Sequence, residues 1–352
     1  VPPSAKSAPA TGELALIELI RRRASANHFN PLRPNPLKLG IGDDCAILAP
    51  PRNHEILVTT DLSLETRHFR RDWHSPASVG HRTLARGLSD LAAMGATPLA
   101  AFLSLALPKS VARKPAWLSG FLDGLLALAA LHRTPLAGGD TSESPSDAIL
   151  ADILLLGSAP TGRALRRSTA LPGDFLYVTG ALGGSATELA NLSQRKKPSR
   201  AANLLPTRHS ILPVSPHPHL FPQPRLAVGQ ALLRRRLATA CIDLSDGLST
   251  DLNHLCQASK VAAELDIALL PAHPLTASLT DLAQITAILH GGEDYELLFT
   301  ARPSTKIPRS IAGVPITRIG RILAAQPNRP RMSILSADSS FELQPQGWEH
   351  LK

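Results

Sequence analysis

Cysteine, methionine and aromatic residues are scarce in this 352-residue chain, which has three Cys, two Met, three Trp, two Tyr and eight Phe. The cysteines, Cys45, Cys241 and Cys256, are odd in number and nowhere form a Cys-x-x-Cys pair. That argues against a disulfide framework and for a reducing, cytoplasmic setting. All three read best as small buried apolar residues. No run of aromatics lies beside a basic segment, so no platform for stacking bases is visible. Long apolar runs are missing too. The longest uncharged stretch, Leu91 to Pro108, is interrupted by Gly95 and Pro98, whereas a bilayer needs about 20 predominantly apolar residues. No membrane span is expected. Residues 1–10 are rich in Pro, Ala and Ser with no hydrophobic segment, so no secretory signal is expected. Also absent are GxxxxGK[ST], a GxGxxG after a strand, and the HRD and DFG signatures of protein kinases.

What is present is an ordinary globular composition, 43% apolar and 18% charged, at a length that suggests two domains. The formal charge is +9. Five of those charges, Arg195, Lys196, Lys197, Arg200 and Arg208, fall in one Pro-rich segment, about residues 194–218, that holds no acid. It reads as a solvated insertion rather than a nucleic-acid surface. Thr11 should cap a first helix. A strand is expected over Ile56–Thr60, ending at Asp61. Ser75-Pro76 opens a helix that runs to about Met94 and stops at Gly95. A buried strand, a second helix and another strand should follow at Leu99–Leu107, Ala116–Leu131 and Ile149–Leu156. After Pro160-Thr161-Gly162 the pattern restarts, with strands at Phe175–Thr179, Thr239–Ile242 and Tyr295–Thr300 and helices from Ala186, from Arg225 and after Asp246. The class is therefore mixed α/β, divided into residues 1–160 and 161–352.

The acids carry the chemistry. Nine of them sit in six short clusters of small residues: Asp43-Asp44, Asp61 after Thr59-Thr60, Asp90 after Ser89, Asp140 after Gly138-Gly139, Asp243 and Asp246 around Ser245, and Glu293-Asp294 after Gly291-Gly292. Any one of these could be a turn or a helix cap; Asp246 could cap the helix after it and Asp43-Asp44 could be a plain turn. Six in one chain argue for a shared site on loops at strand ends. Two carboxylates about 4 Å apart repel by roughly 4 kcal/mol at an effective dielectric near 20, so gathering several needs cations. The clusters offer oxygen ligands and no His or Cys, which suits Mg²⁺ rather than zinc. Flanking glycines let backbone approach phosphate oxygens. The residues alone thus point to a Mg²⁺–phosphate site, without naming a nucleotide or an acceptor. His68 and Trp348 taken singly would be structural.

At these clusters the chain resembles the thiamine-monophosphate kinase family of the aminoimidazole-ribonucleotide-synthetase-like superfamily. The matching stretches, in family order, are GIGDDCAIL (residues 40–48), VTTDLSLETRHF (58–69), LARGLSDLAAMGATP (84–98), GGDTSESP (138–145), GRALRRS (162–168), PGDFLYVTG (172–180), IDLSDGLSTDL (242–252), GGEDYELLFT (291–300) and a terminal GWEH (347–350). The resemblance implies two α/β domains, the N-terminal one contributing to an intersubunit β-barrel in a homodimer. It implies direct in-line transfer of the ATP γ-phosphoryl group to thiamine monophosphate, with several Mg²⁺ ions, no covalent intermediate and no general base. Carried over by position, Asp44, Thr59, Thr60, Asp61, Asp90, Asp140, Asp243 and Asp246 would hold metal. Gly139, Asp140, Arg167 and Ser245 would meet ATP, and His68, Glu293 and Trp348 would meet thiamine monophosphate. Asp43 would support from behind.

The chain departs from the family pattern in two places. Thr66 stands where the family has glycine before its His-Phe pair, and the 194–218 segment is longer and more basic than usual. A sibling enzyme acting on another acceptor would need a reactive cysteine in a Gly-rich N-terminal segment or at the C-terminus, and neither is present. A Mg²⁺-dependent phosphohydrolase could use the same carboxylates without Glu293 or Trp348. A basic nucleic-acid binder would rest on charge alone, and neither nucleic acid nor membrane is expected as a partner.

Overall fold

The computed structural model describes residues 13–25, 35–194, 212–337 and 339–348. The expected cap Thr11, the basic residues of the insertion and residues 349–350 lie outside these. The first half runs through helix α1 (Glu13–Ser25), a short ribbon β1 (Leu37–Leu39) and β2 (Ile47–Leu48), then β3 (His54–Leu64), α2 (Pro76–Ala93), β4 (Thr97–Leu107), α3 (Lys109–Ala112), α4 (Pro115–His132), β5 (Leu136–Glu143) and β6 (Leu150–Pro160). The second half comprises β7 (Phe175–Thr179), α5 (Gly184–Ser193), α6 (Leu226–Arg234), β8 (Ala240–Asp243), α7 (Leu248–Ser259), β9 (Val261–Asp266), α8 (Asp281–His290), β10 (Leu297–Ala301), β11 (Ser310–Ile311), β12 (Val314–Ala324), β13 (Met332–Ser336) and β14 (Ser339–Glu342).

The first half forms a four-stranded sheet in the order β3-β6-β4-β5, antiparallel except for the β4–β5 pair. Helices α2 and α4 cover one face. Helix α2 starts as its sequence dictates, with the Ser75 hydroxyl accepting from the Ser78 amide and Pro76 at the first helical position. The two helices pack at backbone distance. A Cβ on Gly80 would meet the Phe121 carbonyl at 1.9 Å, and one on Gly124 the Ala77 carbonyl at 1.8 Å, so only glycine fits at either crossing. Helix α4 is long and apolar enough to span a bilayer by length and composition. Here Leu118, Phe121, Leu122, Leu125 and Leu126 of its length are buried in the shared core.

Strand β3 extends well past the expected stop at Asp61, so Asp61 lies inside a strand rather than on a loop at its end. The reason is pairing: β3 matches β6 residue for residue from His54–Pro160 to Leu64–Leu150, and those ladder bonds outweigh the turn preference of an aspartate. The Gly138-Gly139-Asp140 cluster likewise falls within β5, paired along β4.

The second half builds a larger sheet in the order β14-β13-β9-β12-β7-β10-β8, with β11 added on β12. Helices α7 and α8 bury Leu248, Leu252, Leu255, Ile288 and Leu289 against Leu176, Val178, Ile242 and Leu298 of this sheet. Helix α6 crosses back to α2: a Cβ on Gly229 would strike the Ala92 carbonyl at 1.9 Å. Its Leu232 and Leu233 share the first core with Leu88 and Leu91. This contact holds α2 between the two sheets.

Candidate active site

Helix α2 is the spine of the site. Most of its surface is buried and apolar, but Arg82, Arg86 and Asp90 recur at four-residue spacing. That spacing places three charges on one helical stripe, each about 6 Å further along the axis. The stripe faces the second half of the chain, and a cavity of about 350 Å³ opens there. Eight of the residues singled out in the sequence line it: Asp61, His68, Asp90, Asp243, Ser245, Asp246, Glu293 and Trp348. A second cavity of about 390 Å³ shares Asp90 and Asp243 with the first and adds Thr59 and Arg167.

At one end the carboxylates crowd. Asp90 accepts a short hydrogen bond from the Thr59 hydroxyl, and Asp243, at the end of β8, accepts from Ser89 Oγ at 2.7 Å. Burial raises the pKa of both, and the charges of neighbouring aspartates raise them further. Burial also raises Asp61, partly offset by Arg86, whose Nη2 donates to its carboxylate at 3.0 Å. The acids outnumber the cations at this end. All the donors are oxygen, the set that suits a hard divalent cation.

The other end is organised by Arg82. Its side chain is 4% exposed and donates to Glu293 Oε1 at 2.7 Å, to the His68 carbonyl at 3.1 Å and to the carbonyl of His219. Burial alone would push the Glu293 carboxyl up, but Arg82, then His219 and Arg86, hold it at about 2. Glu293 sits at φ 65°, its amide bonded to the Ser245 carbonyl at 2.8 Å. A non-glycine residue in that region is strained, and such strain gathers at functional sites. His68 is placed by a turn in which Thr66 takes φ 72° and bonds from its amide to the Phe69 carbonyl at 2.8 Å. The turn thus holds a β-branched residue in the left-handed region that favours glycine. The His68 Nδ1 accepts from the Leu64 amide at 3.0 Å. Trp348 is brought in by backbone bonds: its amide donates to the Asp246 carbonyl and the Gly347 amide to Thr250 Oγ1, both at 3.0 Å. Asp246 is not the cap of α7; Gly247 holds that position, and Asp251 accepts from the Asp246 and Gly247 amides.

Not every expected ligand joins this cavity. Thr60 alternates with Thr59 and Asp61, so its hydroxyl lies on the opposite face of the sheet, 3.5 Å from Asp152. Asp44, Gly139 and Asp140, with Asp43, line a separate cavity of about 780 Å³ beside α1. Asp61 and Gly139 share one register row through Ile153 and Leu103. Three strand spacings place them about 14 Å apart, whereas two ligands of one Mg²⁺ lie at most about 4 Å apart. Asp294 points away and accepts from the Gly183 and Ser185 amides at the start of α5. Cys241 and Cys256 are buried, as expected, but Cys45 is exposed. Arg82 and Arg86 did not stand out in the sequence, although their spacing from Asp90 carried the signal.

The chain is similar along most of its length to known proteins. Residues 42–159 match the AIR synthase related protein N-terminal domain family, and residues 172–328 the corresponding C-terminal domain family. The thiamine-monophosphate kinase of Escherichia coli strain K12 is 41% identical over 324 residues, covering 90% of this chain and 91% of its own. The crystal structure of thiamine-monophosphate kinase from Stenotrophomonas maltophilia K279a superposes with a TM-score of 0.73 at 35% identity, over 92% of this chain and 96% of that one. A structure described as AaThiL complexed with AMPPCP and TMP superposes with a TM-score of 0.70 at 26% identity, over 97% of each chain. With this identity spread over both halves of the fold, the chain belongs to the thiamine-monophosphate kinase family.

Proposed function

We propose that this protein transfers the γ-phosphoryl group of ATP to thiamine monophosphate, giving thiamine diphosphate and ADP. The observation that carries the reading is the polarity of one cavity. Carboxylates that burial leaves short of counter-charge stand at one end, and Glu293, His68 and Trp348 stand at the other. The second end suits a thiazolium cation, which an anionic Glu293 attracts and an indole face can stack on.

An oxygen of the acceptor monophosphate attacks the γ-phosphorus. The bond from that phosphorus to the β,γ-bridging oxygen breaks, and its electron pair leaves with ADP. The nucleophile is already anionic, so no side chain needs to remove a proton; alignment and charge neutralisation carry the step. Asp61, Asp90 and Asp243, with the Thr59 hydroxyl, would hold Mg²⁺, and Asp246 a further ion. Bound there, Mg²⁺ would neutralise phosphate charge as it develops on the leaving oxygen. Arg167 would contact ATP from the adjoining cavity and Ser245 from the first.

The remaining acids support a homodimer. The sheet face away from α2 exposes Ile56, Val58 and Leu62, at 44%, 59% and 45%. Leu154 and Leu156 of β6 and Phe102 of β4 continue that face. A second copy of this chain covering that apolar face would complete the barrel that the family resemblance implies. It would also bring the partner's Asp44, Gly139 and Asp140 to the site, whereas this protomer's own Gly139 lies about 14 Å from Asp61.

The test is incubation with Mg-ATP and thiamine monophosphate, followed by chromatography. Thiamine diphosphate and ADP in equal amounts are expected, with none when thiamine replaces the monophosphate. ADP without thiamine diphosphate would replace the reading by hydrolysis or another acceptor.

A further inference from the structure

We propose that Arg86 is a catalytic residue that grips the monophosphate of the acceptor between the carboxylate end of the cavity and its thiamine end. The inference rests on the phosphoryl-transfer reading above and adds to it the group that orients the nucleophile.

Arg86 lies midway along the α2 stripe, about 6 Å from Asp90 on one side and from Arg82 on the other. Arg86 is one of the residues that line the cavity. Nη2 is taken by Asp61 at 3.0 Å. Nη1 is buried and has no hydrogen-bond partner among the described residues, an unusual state for a guanidinium N–H, since the large majority of such groups pair when withdrawn from water. A charged donor is thus held in place by one arm with the other unsatisfied. Asp61, Glu293 and the Tyr295 hydroxyl are the groups that face it electrostatically. Neither Glu293, engaged by Arg82, nor Tyr295 bonds to Nη1.

The acceptor has a cationic ring and an anionic phosphate. Its ring suits Glu293 and Trp348, and its phosphate must then lie toward Asp90, where the γ-phosphoryl group arrives. Arg86 is the cation between those positions. Arg67, the other arginine lining the cavity, is exposed beside His68. The planar fork of arginine matches phosphate oxygens, so one arm on Asp61 and one on the acceptor would fix the nucleophile in line. The alternative is that Arg86 only neutralises Asp61.

Calorimetric titration of the full chain distinguishes the two, in Mg²⁺ with a non-hydrolysable ATP analogue, using thiamine monophosphate and thiamine as probes. Arg86→Met should weaken thiamine monophosphate binding about tenfold or more, leave thiamine within about twofold, and leave the ATP analogue unchanged. Arg86→Lys, which keeps charge but loses the fork, should fall between, and it carries the test alone if Arg86→Met fails to fold. Equal weakening of both probes, or a changed Mg²⁺ requirement with thiamine monophosphate binding intact, would overturn the role. A wild-type protein that binds neither probe would instead overturn the proposed function on which the role rests.

Discussion

On β3, Thr59 and Asp61 turn toward α2, while Val58, Thr60 and Leu62 turn away from it. The residues are neighbours in one motif, yet the two faces of the strand give them different chemistry. On the covered face, Asp61, Asp90 and Asp243 are withdrawn from water and their carboxyl pKa values are raised. On the open face, Asp140 is exposed and shares its row with Ser104 and Asp152, beside an apolar surface. An aspartate after small residues suits a cation where the fold leaves it short of counter-charge. On the open face, the same pattern depends on what covers it.

The largest expected effect tests whether both faces serve one reaction. Asp243→Asn and Asp140→Asn should each reduce turnover by about a thousandfold or more. If each site draws Asp243 from one subunit and Asp140 from the other, mixing and re-equilibrating the two dead variants should restore about a quarter of wild-type activity. Half of the dimers are then mixed, and each has one intact site. Absence of recovery would separate the two acid clusters and break the shared-site reading. Val58→Glu, placed on the open face, should halve the particle mass in analytical ultracentrifugation; an unchanged mass would remove that face as an interface.

The covered face makes a pH prediction. Because the pKa values of Asp90 and Asp243 are raised, the native state keeps protons that the unfolded chain has released above about pH 4. Metal-free stability from these groups therefore falls as pH rises from there toward neutrality. A divalent cation replaces those protons, so the Mg²⁺-induced gain in Tm should be small at pH 5 and grow through pH 8. An equal gain at both would mean that these carboxylates are not where the cation binds. The smallest effect concerns the turn at the end of β3. Thr66→Gly relieves a left-handed β-branched residue and should stabilise the protein by about 0.5–1 kcal/mol in chemical denaturation. A loss of stability would show that the Thr66 side chain contributes more than its strain costs.

Much of this was legible in the chain itself. Ser75-Pro76 and Gly95 bracket α2 because capping is chemistry between near neighbours. β7 begins and ends at Phe175 and Thr179, as its run of β-forming residues indicated. Asp61 and Asp140 lie within strands rather than on loops because pairing with partners far along the chain extends those strands. Asp43-Asp44 could not be told apart from Asp90 by any local signal, since burial depends on what packs above a residue. Arg82 and Arg86 show the reverse case. Their spacing from Asp90 was present, but a charge on a helix ordinarily faces water, and only the second half of the chain converts that face into a cavity wall.

Residue order along the chain set the chemical types: carboxylates and hydroxyls in clusters of small residues, glycines where backbones touch, and a motif order that identifies the family. These follow from covalent chemistry and spacing along the chain. Which aspartates lose water, which arginine is left with an unsatisfied arm, and that Thr60 faces away from Thr59 were decided only in the tertiary structure. Burial and charge pairing are set by contacts between β3, α2, β8 and the Gly291–Tyr295 segment, whose separations run from tens to more than two hundred residues.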